Sequence, residues 1–298
     1  MSLLERISPF FSVIIQWYKE NFIKLCKKLH SSEKRFRRFH GLSALSNINT
    51  RTKIIASIAV FSALYGVIRL VPLGPMIGLS QYFSVSDSLA PLYGILLGPF
   101  TGGISIVIGT ALGWLMGKPV SFLGLDFLPA LINTVAIGFL IKRQWKFVVI
   151  LNVVLLALFI LSPYSLLMVE IPGIFYFPFL WMHILALIVL ISPLRSKAVS
   201  WIETLKSANI PWGIAILAFI GTMMQHLAGN LVYQLVVGQP IGGLTAEGFQ
   251  TIWTAAFFAY PLERLALIII TVLVGAPLVR ILKKSLFVDN APKTTKGS

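Results

Sequence analysis

From Ser88 to Met116 the chain carries no charged side chain. A bilayer-crossing helix needs about 20 mostly apolar residues, and away from water the backbone must satisfy its own polar groups, which a helix does. Such runs recur. Between charged or Pro/Gly-rich breaks, eight apolar segments lie near residues 53–72, 87–100, 103–117, 123–141, 147–165, 174–193, 211–237 and 251–281. The second and third are short and flank Gly98-Pro99-Phe100-Thr101-Gly102-Gly103, a turn signal that makes them a tight helical hairpin. Composition points the same way: 57% of residues are hydrophobic and 12% charged, against about 25% charged in soluble domains, and mean hydropathy is +0.86. The expected fold is therefore an all-α polytopic membrane protein with about eight transmembrane helices, which excludes a water-soluble enzyme. A single cysteine, Cys26, excludes a disulfide framework and a Cys-based zinc site.

The net charge of +15 would suggest nucleic acid in a soluble protein. Here its distribution gives another reading. With the hairpin counted as two spans, 22 of the 25 Lys and Arg residues fall on one side of the membrane, in the N-terminal segment, at 142–146, at 195–206 and at or beyond the last span. Basic residues concentrate on the cytoplasmic side, so both termini are expected there, in a prokaryotic cell membrane, with attraction to anionic lipid as a second use of the charge. No nucleic-acid partner is needed. Only Arg69, Lys118 and Arg264 are left over.

The chain divides accordingly. Residues 1–50 form a basic, amphipathic cytoplasmic segment that is too charged to span and has no signal-peptide cleavage site. Residues 51–145 hold four transmembrane helices, 146–194 a further pair, 195–210 an interfacial linker, 211–284 the last two helices and 285–298 a cytoplasmic tail.

Signatures of catalysis are missing. Gly113-Trp114-Leu115-Met116-Gly117-Lys118-Pro119 has the wrong spacing and ending for a phosphate-binding loop, and His-Glu-x-x-His and Gly-x-Ser-x-Gly do not occur. His183 and His226 would make a metal pair only with a third ligand, which no suitably spaced residue supplies, so neither a metal nor a cofactor is expected. The third span carries Ser105, Gly109, Gly113 and Gly117 at four-residue intervals, a bare face that suits close helix packing, with Trp114 beside it as a platform for a stacked ligand. Ala59 and Ala63 of the first span form a small-x-x-x-small pair suited to internal packing or to docking a partner.

The seventh span is the most informative. Thr222, His226, Asn230 and Tyr233 recur at helical spacing along one face, with Gln225 beside them, and polar groups at that depth are costly unless they meet partners or water. At a rise of 1.5 Å per residue, His226 lies about 16 Å inward of Val237. Glu263 in the antiparallel eighth span lies about 18 Å inward of Thr251, so Tyr260, Glu263 and Arg264 come level with His226 and Asn230. Adjacent residues point about 100° apart on a helix, so Glu263 and Arg264 are expected to seek separate partners. The coincidence of depth indicates an outward-facing ligand pocket. The first outer loop, with Pro72, Gly74, Pro75, Gly78, Gln81, Tyr82 and Phe83, suits a lid over a flat ligand. Asp87 and Asp126, each at the outer start of a span, are expected to cap helices, and Arg69 to snorkel outward or meet an anionic group on a ligand.

The stretch Ile54-Ile55-Ala56-Ser57-Ile58-Ala59-Val60-Phe61-Ser62-Ala63, the long first outer loop, Asp87 leading into Tyr93-Gly94-Ile95-Leu96-Leu97-Gly98-Pro99, the Gly-rich third span, and Pro261 and Arg264 ahead of Gly275 and Arg280 together resemble the substrate-binding S components of energy-coupling factor (ECF) vitamin transporters. The resemblance covers roughly residues 53–145 and 211–284. It implies a six-helix core that captures a vitamin or vitamin precursor under the first loop and then docks, through Ala59 and Ala63, on a transmembrane coupling subunit bearing an ATPase pair. His226-Leu227-Ala228-Gly229 is similar to the His-x-Ala-Gly segment of thiamine-specific members, which implies a thiamine-like or pyrimidine ligand. Two features depart from that pattern. Gln234 stands where an aromatic residue is expected, with Tyr233 adjacent, and residues 147–193 insert an extra pair of spans. Two other classes stay open: a lipid-modifying or lipid-scrambling protein using Glu263, Arg264 and His226, and a structural membrane scaffold.

Overall fold

The structure, a computed structural model, describes residues 44–78, 81–171, 173, 175–204 and 208–288. The expected amphipathic segment as far as residue 43 and the expected tail from residue 289 lie outside the described residues. The chain divides into two compact units, residues 1–55 and 56–298; within the first, residues 44–55 are the opening turns of helix α1 (Ala44–Ile68), and all that follows concerns the second.

After α1 come a β-hairpin of β1 (Pro72–Pro75) and β2 (Tyr82–Ser84), a 3-10 turn (Val85–Leu89), and helices α2 (Ala90–Leu115), α3 (Leu128–Ile141) and α4 (Trp145–Leu161). A second hairpin, β3 (Met168–Ile171) with β4 (Phe175–Pro178), precedes α5 (Trp181–Ile191), α6 (Leu194–Glu203), α7 (Ile210–Val237) and α8 (Ala246–Val288). Both hairpins are antiparallel, β1–β2 with an irregularity between Pro72 and Gly74. Proline occupies the first turn of α2, α3 and α7, where its missing N–H costs nothing and its fixed φ favours the helix.

Most of the chain is helical and apolar, as a membrane protein requires. Among the described residues four helices are long and apolar enough to cross a membrane, or five if α5 and α6, bent by 67° at Ser192-Pro193, act as one. By length and composition the described helices do not establish all eight expected spans. Helices α3, α4 and α5 have 14, 17 and 11 residues, so they reach only about 21, 25 and 17 Å against a hydrocarbon core of about 30 Å. Residues 123–127, counted with the fourth segment, are loop, with Leu123 and Gly124 at positive φ. The fold is all-α in its helical body, with two short β-hairpins in the connections.

Helix α2 is broken at Gly98, whose φ of 77° suits glycine because an L side chain would clash there. The chain turns back on itself: a Cβ added to Gly102 would lie 2.8 Å from the carbonyl oxygen of Tyr93, nine residues earlier. Helix α3 fits into this reversal, with Gly94 against the Thr134 carbonyl and Gly138 against Pro99. The bare face of the return arm packs on α1, Gly109 against Ser62 and Tyr65 and Gly113 against Arg69, as small residues allow. Opposite that contact, Ala59 and Ala63 lie on the exposed face of α1. Helix α7 is the axis of the bundle: 72% of its apolar window is buried, against 17% for α1.

Candidate functional site

Helix α7 presents Gln225, His226, Asn230 and Tyr233 to α8, which answers with Trp253, Tyr260, Glu263 and Arg264; between them lies a cavity of about 120 Å³. One water needs about 10–15 Å³ on this measure, so there is room for a small organic molecule. The remaining walls come from Arg69 at the end of α1, the first hairpin with its 3-10 turn, and the α2–α3 connection through Lys118, Ser121, Phe122 and Asp126.

A chain of buried hydrogen bonds ties these elements together. Asn133 Nδ2 donates to Gln225 Oε1 (2.7 Å) and Gln225 Nε2 donates to Asp87 Oδ1 (2.8 Å). The other Asp87 oxygen accepts from the backbone N–H of Ser84 (3.3 Å), closing the capping box of the 3-10 turn. Asp87 therefore caps, as expected, and also anchors α7. Asp126 does not cap. Helix α3 begins at Leu128 without a side-chain cap, and the Asp126 carboxylate instead accepts from the N–H groups of Ser121 (2.9 Å) and Phe122 (3.1 Å) and lies 3.6 Å from the Arg69 guanidinium. A carboxylate shaping its own loop strengthens such contacts because it is charged.

The first hairpin covers the cavity. Gly78, at φ 80°, brings its backbone against the Tyr233 hydroxyl and the side chain of Ile252. Lys118 Nζ donates to the Tyr82 carbonyl (3.0 Å), the Ser121 hydroxyl meets Gln81 Oε1, and the Arg264 guanidinium sits 5.5 Å from the Phe83 ring centroid. Burial, reinforced by the nearby Arg69 charge, holds the Lys118 ammonium below its ordinary pKa.

At the other end of the cavity the rings of His226 and Tyr260 stack at 4.8 Å and 22°. His183 of α5 stacks on His226 in turn, and its Nε2 is 3.1 Å from His226 Nδ1. Tyr260 donates its hydroxyl proton to the Phe179 carbonyl (3.0 Å). Among the described residues no three His, Cys, Asp or Glu side chains gather into a metal-binding group.

Of the ten residues singled out for ligand contact, Tyr82, Gln225, His226, Asn230, Tyr233, Tyr260, Glu263 and Arg264 line the cavity, whereas Trp114 and Thr222 do not. Thr222 lies one turn beyond His226, buried among helices. Trp114 follows Gly113, whose face is turned to α1, and its indole comes within 4.0 Å of a Cβ built on Gly124 in the next loop. Glu263 and Arg264 do not seek separate partners: the Arg264 guanidinium bonds the Glu263 carboxylate. The 100° offset describes Cβ directions, and an Arg side chain is long enough to curl back across it.

Sequence reasoning left Lys118, Ser121, Phe122 and Trp253 out of the site. One signal pointed to part of this set. Arg69, Lys118 and Arg264, the three basic residues left over by the charge asymmetry, all line this cavity. With Asp87, Asp126 and Glu263 beside them, the lining carries three formal charges of each sign. Four buried donors on lining residues are unsatisfied by the protein, Arg69 Nε, Asn230 Nδ2, the Tyr233 hydroxyl and Arg264 Nε, and such groups call for an acceptor.

No family model matches the chain. An uncharacterized protein of Methanocaldococcus jannaschii is 27% identical to it over 158 residues, which are 53% of this chain and 50% of the relative. The chain thus spans about half the length of the curated relative it matches. No solved structure matches.

Proposed function

We propose that the chain is the substrate-capture subunit of an ECF-type ATP-driven importer. It binds a small vitamin-like molecule, pyrimidine- or thiamine-like, from outside and has no catalysis of its own. The observation that carries this reading is the cavity between α7 and α8 under the first hairpin, where the polar face of α7 meets aromatic rings and a charge-balanced rim. Balanced charge accommodates a neutral or zwitterionic solute, and polar side chains in an otherwise apolar and aromatic wall reward one that pairs with them. In this reading the chain crosses a prokaryotic cell membrane eight times with both termini cytoplasmic, a six-helix core taking up residues 53–145 and 211–284 and residues 147–193 adding a pair. The exposed Ala59 and Ala63 face a transmembrane coupling subunit, and an ATPase pair supplies the energy.

Native mass spectrometry of the gently solubilised protein, purified from its own membrane, tests this. A stoichiometric ligand of vitamin size, with co-purifying ATPase subunits, is the expected result. Only lipid bound, together with lipid turnover that His226→Ala abolishes, would replace capture with lipid chemistry.

A further inference from the structure

We infer that His183, contributed by the inserted helical pair, is a positioning residue that holds His226 in the tautomer with its proton on Nε2, so that the cavity meets a hydrogen-bond donor at that point. This rests on the cavity being the ligand site and adds to it the polarity a ligand must present. Three observations lead to it. His183 Nε2 and His226 Nδ1 are 3.1 Å apart, so one proton lies between them. His183 Nδ1 is buried with no partner. Among the described residues His226 bonds through Nδ1 alone, and its ring lines the cavity, which leaves Nε2 for a ligand.

The proton between the rings can sit on either nitrogen. If it sat on His226 Nδ1, His183 would carry its own proton on Nδ1, an orphaned N–H at a residue 2% exposed. Orphaned buried N–H groups are rarer in folded proteins than under-used acceptors. If it sits on His183 Nε2, Nδ1 of His183 is a bare lone pair, and the hydrogen bond received by His226 Nδ1 places the His226 proton on Nε2. The ring hydrogen bond of one histidine thereby sets the tautomer of the next. Tyr260 does not interfere, because its hydroxyl is committed to Phe179 and it meets His226 through its ring face. A ligand that fits then offers an acceptor, such as a ring nitrogen or carbonyl oxygen, at His226.

The test uses the full chain, labelled with 15N-histidine, in nanodiscs without added ligand, with His226→Ala and His183→Ala spectra assigning the signals. The expected result is that both His183 and His226 are protonated on Nε2. His183→Leu removes the donor and gives His226 a mixture of tautomers, whereas His183→Gln, whose amide N–H can reach Nδ1, restores the single form. A wild-type His226 protonated on Nδ1, or a His183→Leu spectrum unchanged from wild type, would overturn the inference, and His183→Gln decides it if the Leu variant fails to fold. Thiamine titrated into the same samples is the binding probe, with an expected loss of about tenfold for His183→Leu and recovery in His183→Gln, the size of one lost hydrogen bond. Thiamine ignored by the wild type counts against the thiamine-like ligand proposed above, and the spectra still decide the tautomer.

Discussion

The two β-hairpins lie near the same end of α7 and have similar size, yet they do different work. The first is tied by side chains to loop 118–126 and to α8, and Tyr82, Phe83 and Ser84 line the cavity. The second contributes nothing to the cavity lining. Its neighbourhood is held by bonds to the helix ends: Trp253 Nε1 donates to the Tyr164 carbonyl (2.7 Å), Gln234 Nε2 to the Ser165 hydroxyl (2.9 Å), and the Tyr164 hydroxyl to the Gln239 carbonyl (2.9 Å). Val169 is 1% exposed, whereas Tyr82 is 55% exposed. A strand anchored by a buried apolar residue is a brace, and one held by polar contacts at its rim is a cover that opens at little cost.

That contrast can be broken in order of effect. Arg264→Leu strikes the point where the cover, the cavity and α8 meet; removing one partner of a buried pair costs about 3–5 kcal/mol, so thermal unfolding in nanodiscs should fall sharply and binding should vanish. Val169→Ala opens a void under the brace and should cost about 1–2 kcal/mol in the same unfolding measurement while ligand affinity holds; a loss of affinity without a loss of stability would reverse the assignment. Gly78→Ala sets a side chain where φ is positive and the Tyr233 hydroxyl already stands, displacing the cover; affinity should weaken by about 1–2 kcal/mol with the unfolding midpoint nearly unchanged. Lys118→Met removes the tether to Tyr82 together with one of the three positive charges of the lining, and a faster ligand dissociation rate with a change of about 1 kcal/mol in affinity is expected. A mutant that instead unfolds more readily would make the first hairpin structural as well.

The polar face of α7 was legible because helical periodicity brings His226, Asn230 and Tyr233 to one side whatever surrounds the helix, with Gln225 beside them, whereas Thr222 on the same face stops short of the cavity. Matching depths joined that face to Tyr260, Glu263 and Arg264 by the helix rise alone. Lys118, Ser121 and Phe122 escaped because they sit in a loop, where no period relates sequence to position and Asp126 fixes the geometry by bonding backbone N–H groups. His183 was visible as a partner for His226 but not as part of the cavity wall's support, since that depends on how α5 crosses α7. The number of spans was legible only coarsely, because α3, α4 and α5 are apolar but short, and length and composition do not establish that each one crosses.

The break at Gly98 makes two arms of unequal length. The first, residues 90–97, is about 12 Å long and the second, 99–115, about 26 Å, and the 3-10 turn Val85–Leu89 continues the shorter arm and carries Asp87 to the cavity wall. The hydrogen bond from Gln225 holds the Asp87 carboxylate there. A solute that reaches this wall must shed its hydration shell before it gains the fixed dipoles there, in surroundings where each of those dipoles acts through a lower dielectric than in water. Selection is then a matter of dehydration: a solute whose polar edge matches the cavity wall recovers what it gave up to enter, and a similarly sized one that is wetter on the wrong side does not.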